Sequence, residues 1–220
     1  MASFRRADAL LLITSSCPYC GTVLQGMSEL VKSGHIARLE VINIELQPAR
    51  AEALGVRTVP WVRIGPFELE GLRSPAELKR WAEHADSLDG MAQFLRELLK
   101  SGQLAKATTL IQEDPKRLAA LVLLLADPGI ELSVRIGLGA IFEEHEGQTL
   151  LQPSIQVLDS LATHGDAHIR ADAAHLVSLT HSPQAVGILE HLRDDPDPVV
   201  REVVQEGLER LVPLLSDAIS

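Results

Sequence analysis

The chain has 220 residues, a formal net charge of −10 and only 3% aromatic residues. That length suits one large domain or two small ones, and so few aromatics amid abundant Ala and Leu argue against a large sandwich or barrel and for stacked helices. The acid excess lies wholly in residues 87–220, with 10 Lys/Arg against 20 Asp/Glu, while residues 1–86 balance at 10 and 10; such a surface repels phosphate backbones and anionic headgroups, so nucleic acid and membrane are not expected as partners and protein partners are.

No run approaches the ~20 apolar residues of a membrane-spanning helix. Arg5 and Arg6 ahead of Ala9 to Ile13 have the charge pattern of a secretory leader. The apolar run is nevertheless short of the ~7–15 residues such a leader needs, and no leucine stands three places before Cys17. A cytoplasmic location is expected.

The elements follow in order. Residues 8–14 predict a buried strand, and residues 18–33, apolar at Val23, Leu24, Met27, Leu30 and Val31, a helix stopped by Gly34. Ala37 to Glu45 predict a second strand, Pro48 to Leu54 a short helix ended by Gly55, and "VPWVRIG" and "FELEG" two strands joined at Gly65-Pro66. Ser74-Pro75 with Glu77 start a last helix over 75–85. The order is βαβαββα, an α/β domain over residues 1–86.

From Ser87 the strands cease. Helical patterns recur at 88–100, 103–112, 115–126, 131–144, 148–163, 166–180, 182–193 and 197–211, punctuated by Gly, Asp-Pro or Ser-Pro. "ELSVR" (131–135), "DAHIR" (166–170) and "DPVVR" (197–201) each set an acid four residues before an arginine, 35 and 31 residues apart. Such a period predicts an all-α solenoid over residues 87–220. The acid serves the free N–H groups of a helix start, and the arginine reaches that acid or the neighbouring repeat's. Apolar stripes follow, as at Ala171, Ala174 and Val177, or Val204, Leu208 and Leu211. The pattern resembles HEAT repeats over roughly residues 115–211, which implies an extended protein-binding surface.

The only cysteines, Cys17 and Cys20, fall in "TSSCPYCGTVL" where a strand gives way to a helix. In a reducing compartment a lone Cys-x-x-Cys points to redox or metal chemistry rather than to a structural staple. Closed structural zinc needs four ligands, and the chain has no second cysteine pair. At the helix N-terminus, with Pro18 in the first helical position, Cys17 is the expected nucleophile and Cys20 the resolving thiol. A retired site kept in a binding domain is the other reading.

"RTVPW", Arg57 to Trp61, precedes the third strand. With the CPYC tetrad and the element order, this triplet Thr58-Val59-Pro60 resembles the thioredoxin superfamily, glutaredoxins in particular, over about residues 7–86. The resemblance implies a cis Val59-Pro60 bond beside the cysteines, and substrate contacts from Pro18, Tyr19, Thr58, Val59 and Pro60. Thr14-Ser15-Ser16 stand where glutaredoxins carry a basic residue, and Glu68 to Arg73 lack their Gly-Gly-acid segment. Both departures count against glutathione as a ligand. No cofactor is expected beyond the Cys17–Cys20 disulfide. Thioredoxins bury an acid six residues before the first cysteine, where this chain has Leu11.

His164, His168 and His175 are read as turn and helix-start residues rather than metal ligands, and Trp61 and Trp81 as core, Trp61 half-buried. The expected function is thiol–disulfide exchange on a protein disulfide recruited by the helical repeats. The alternatives are a non-catalytic scaffold and a redox sensor.

Overall fold

The computed structural model describes residues 6–217, with side chains described through residue 214; Arg5 lies outside that range. The chain divides into two compact units between Met91 and Ala92.

The first unit runs β1 (Asp8–Ile13), α1 (Cys20–Lys32), β2 (Arg38–Asn43), α2 (Pro48–Ala53), β3 (Trp61–Ile64), β4 (Phe67–Glu70) and α3 (Pro75–Glu83). Its four strands form one sheet in the order β2-β1-β3-β4. β1 pairs parallel with β2, while β1/β3 and β3/β4 are antiparallel. β1 is apolar without alternation because the sheet is covered on both faces: Ala9, Leu10, Leu11 and Leu12 are all buried. Leu10, Leu12, Ile42 and Trp61 cluster with Leu54, Val56 and Val59, which follow α2. In the strand register Leu11, Val62, Ile64 and Phe67 occupy the opposite face. There Phe67 meets Trp81 of α3, ring centroids 4.9 Å apart, and α1 approaches α3 so closely that a Cβ on Gly26 would lie 3.1 Å from Leu78. Both tryptophans are core; Trp61, expected half-buried, is 1% exposed.

Local chemistry sets the helix limits. Ser74 and Glu77 close a reciprocal capping box ahead of Pro75, and Gly34 past α1 takes φ +73°, a conformation side chains disfavour. The boundary that bears on the cysteines differs from expectation. α1 begins at Cys20, with Tyr19 as its N-cap, so Pro18 is not a helical residue and Cys17 lies in the turn leading in. With neither Asp, Ser, Thr nor Asn at the cap, the first helical bond is the backbone one from Val23 N–H to the Tyr19 carbonyl.

The second unit begins within α4 (Leu88–Lys100) and continues with α5 (Leu104–Glu113), α6 (Arg117–Leu123), α7 (Leu132–Glu144), α8 (Ile155–Leu161), α9 (Ala167–Ser178), α10 (Pro183–His191) and α11 (Pro198–Asp217). A 3-10 turn extends α6 over Leu124–Ala126, and another leads into α8 over Thr149–Ser154, where Pro153 interrupts the helical ladder. The expected stripe of α11, Val204, Leu208 and Leu211, is buried; in α9 Ala174 and Val177 are buried but Ala171 is only partly so, with Ile169 in the core instead, and α7 buries Val134, Leu138 and Ile141. Small residues bring the helices together. A Cβ on Gly207 of α11 would sit 3.2 Å from the Ser178 Cβ of α9, and one on Gly137 of α7 would sit 2.8 Å from Leu99 of α4.

Arginines fasten these helices to the next. Arg96 of α4 donates to Glu131 at the start of α7 at 2.8 Å, Arg135 of α7 pairs with Asp172 of α9, and Arg170 of α9 grips Asp195 ahead of α11. Arg135 and Arg170 reach forward along the chain, but to Asp172 and Asp195 and not to the motif acids Asp166 and Asp197 that the spacing offered. No helix among the described residues is long and apolar enough to cross a membrane.

Candidate functional site

The cysteines sit where β1 has ended and α1 begins. Cys17 is partly exposed and Cys20 buried. The Cys17 thiol donates to the Val59 carbonyl at 3.8 Å, across 42 residues of sequence. Val59-Pro60 is cis. The turn before β3 is therefore brought onto Cys17. Pro60 is buried and its carbonyl accepts from Gly71 N–H at 2.8 Å, which ties that turn to the end of β4. Tyr19 is 54% exposed, and Pro18 and Thr58 are exposed as well, so these three form surface around the sulfur rather than support beneath it.

The two thiols are pushed in opposite directions. Burial opposes ionisation of Cys17, but the Cys20 thiol and the backbone N–H groups of Tyr19 and Cys20 donate to its sulfur and together hold its pKa below the ordinary thiol value. Cys20 is raised to about 11, first by burial, then by its hydrogen bond to Cys17 and by that neighbour's charge, with the Thr14 N–H pulling the other way. The expected benefit of a helix start reaches Cys17 through these turn amides, although the helix itself begins three residues later. Leu11, at the position where thioredoxins carry a buried acid, is fully buried.

A further support, not signalled by any motif, comes from the end of β2. Asn43 Nδ2 donates to Ser15 Oγ at 2.9 Å, and its Oδ1 accepts the Glu45 N–H at 3.0 Å. The Glu45 carboxylate in turn accepts the Ser15 N–H at 3.0 Å. The Ser15 side chain, then the Ser15 N–H, hold that carboxyl below its ordinary range, with smaller help from Ser16 and Asn43. Side chains thus continue the β1/β2 pairing past Ile13, over the segment leading into Cys17. The signal is an Asn-x-Glu at the end of the predicted strand, where β2 in fact stops at Asn43 and frees both side chains to turn to Ser15.

Among the described residues no three His, Cys, Asp or Glu side chains are grouped to hold a metal. His164 accepts the Asp166 N–H through Nδ1 at 3.1 Å, and the His168 N–H donates to Asp166 at 2.8 Å. His35 lies between Ser33 and Glu83, at 2.8 and 3.3 Å.

Residues 9–83 match the family model described as a thioredoxin domain. No curated protein matches the chain.

Proposed function

We propose that the thioredoxin-like domain at residues 9–83 performs thiol–disulfide exchange on a protein disulfide, and that the helical unit recruits the protein that carries it. The opposed shifts of the two thiols support this most directly: a partly exposed Cys17 whose pKa is lowered, beside a buried Cys20 raised to about 11.

The Cys17 thiolate attacks one sulfur of the partner disulfide. A Cys17–sulfur bond forms, the partner's S–S bond breaks, and the departing sulfur takes a proton. At this stage Cys17 no longer carries charge or accepts from Cys20, so two of the causes that raise the Cys20 pKa vanish and only burial remains. Cys20 then ionises more readily, attacks the Cys17 sulfur, and closes the Cys17–Cys20 disulfide as the second partner thiol leaves. Two electrons pass from the pair to the partner, and a thiol reductant restores it.

Pro18, Tyr19, Thr58, Val59 and Pro60 form the contact surface for the substrate in this reading. The cis bond at Val59-Pro60 and the Val59 carbonyl beside Cys17 support that assignment. Glutathione is not assigned as a ligand, because Glu45, an acid, anchors the approach to the tetrad. The helical unit's HEAT-like reading rests on its acid-to-arginine spacing and on the forward-reaching arginines. A reducing, cytoplasmic setting suits the free pair.

The test is reduction of insulin disulfides driven by dithiothreitol, with wild type beside Cys17→Ser and Cys20→Ser, and a glutathione mixed-disulfide assay in parallel. Turnover that disappears with Cys17→Ser supports the proposal. A folded protein with free thiols and no turnover in either assay sinks general exchange and leaves the scaffold reading.

A further inference from the structure

Two stretches 31 residues apart, residues 164–170 and 195–201, form one repeated cassette. In the first, the His164 side chain accepts the N–H of Asp166, the Asp166 carboxylate accepts the N–H of His168, and Arg170 Nη1 donates to the carbonyls of His164 and Gly165 at 2.8 and 3.2 Å. In the second, the Asp195 carboxylate accepts the N–H of Asp197, the Asp197 carboxylate accepts the N–H of Val199, and Arg201 Nη1 donates to the carbonyls of Asp195 and Pro196 at 2.6 and 3.1 Å. Every contact recurs at the same offset. The two guanidiniums are therefore anchored alike, each through Nη1 on the carbonyls six and five residues before it.

They differ on the other edge. Arg170 Nε and Nη2 hold both oxygens of Asp195 at 2.7 and 2.8 Å, a bidentate fork. Arg201 Nε and Nη2 have no partner among the described residues. Arg201 instead lines a groove of about 490 Å³ with Arg193, Val204, Gln205, Leu208 and Glu209. The acids and bases around it are engaged: Arg193 pairs with Glu190 at 3.2 Å, and Glu209 accepts from Gln205 at 2.9 Å.

We propose that Arg201 is a preformed receptor for an aspartate carboxylate presented by a protein partner, in the fork geometry that Asp195 shows on Arg170. The guanidinium is already oriented by its carbonyl anchors, so little rotamer freedom is lost on binding. Val204 and Leu208 lie buried at the base of the groove; the carboxylate that the equivalent fork takes, Asp195, comes from a turn leading into a helix, and such a turn is the occupant the geometry favours over a free small anion. A second copy of this chain is not the occupant through Asp195, because Asp195 in each copy is held by its own Arg170. This deepens the reading that the helical unit recruits a protein and rests on it, and the test below is independent of redox turnover.

The test uses the full chain labelled with ¹⁵N, following the arginine Nε–Hε resonances. The probe is an acetylated, amidated peptide of residues 192–199, Leu-Arg-Asp-Asp-Pro-Asp-Pro-Val, and the control carries Asn at the position of Asp195. The Arg201 resonance is expected to shift saturably, and the Asn peptide to bind about fivefold or more weakly, because one arm of a charge-assisted fork becomes a neutral amide. Arg201→Lys is expected to abolish the discrimination. Equal response of Arg193, Arg201 and Arg210, or equal binding of the Asp and Asn peptides, overturns the proposal. The peptide comparison needs only the native chain, so it stands even if the lysine variant folds poorly.

Discussion

Arg170 reaches 25 residues forward to Asp195 and holds it through two bonds, with the arginine side chain 12% and the aspartate 4% exposed. A pair this enclosed contributes chiefly by what happens when half of it is lost. Asp195→Asn is expected to destabilise the second unit by about 2–3 kcal/mol, since it leaves a guanidinium without its charge partner. Asp172→Asn is expected to cost less than about 1 kcal/mol, because burial already raises that carboxyl and opposes its ionisation despite Arg135. Urea unfolding of the two variants checks the order.

Glu131 accepts from Arg96 and Lys100, and these bonds, Arg96 first, lower its pKa from 4.5 to about 2. A folded-state value below the unfolded one means stability that is present above 4.5 and lost as pH falls toward 2. The stability difference between wild type and Glu131→Gln should hold steady above about pH 5 and shrink steadily below it. Unfolding curves across that range decide it; a difference that grows on acidification contradicts the assignment.

Alkylation by iodoacetamide is expected to modify Cys17 with a midpoint below the ordinary 9.0, while Cys20 resists until about 11. Mass spectrometry of the modified peptides gives both profiles. In Cys17→Ser, Cys20 should react at lower pH than in wild type, because the charge and hydrogen bond that raise it are gone.

Gly137 and Gly139 lie two apart in α7 but face different surroundings. A Cβ at Gly137 meets Leu99 at 2.8 Å, whereas one at Gly139 meets nothing within 4 Å. Gly137→Ala is expected to destabilise by about 1–3 kcal/mol through overpacking, and Gly139→Ala to stabilise by about 0.5–1 kcal/mol through helix propensity. Thermal denaturation of the pair gives opposite signs.

Amide exchange tests the support under the redox loop. Glu45→Ala removes the acceptor of the Ser15 N–H, and that amide should exchange faster while the β1 amides keep their protection. No change at Ser15 contradicts the role given to Glu45.

The element order was legible because each segment carried its own punctuation: Gly34, Gly55, Gly65-Pro66 and Ser74-Pro75 sit at observed boundaries. The start of α1 was not, since a proline permitted at a first helical position is equally at home in the preceding turn. The cysteine pair was plain in the sequence, and the turn at Val59 was found through its triplet. Asn43 and Glu45 were not legible as supports because the predicted strand ran through them to Glu45, and only the fold ends β2 at Asn43 and brings both to Ser15. In the helical unit the arginine spacing was visible, but which acid each one takes depends on helix stacking, which spacing leaves open.

The direction of those arginines also orders the making of the protein. Arg96, Arg135 and Arg170 each precede in the chain the acid they hold. During synthesis each of these three guanidiniums leaves the ribosome ahead of its carboxylate, which follows one or two helices later. Each of these three links thus joins a later segment of the chain to a helix that precedes it.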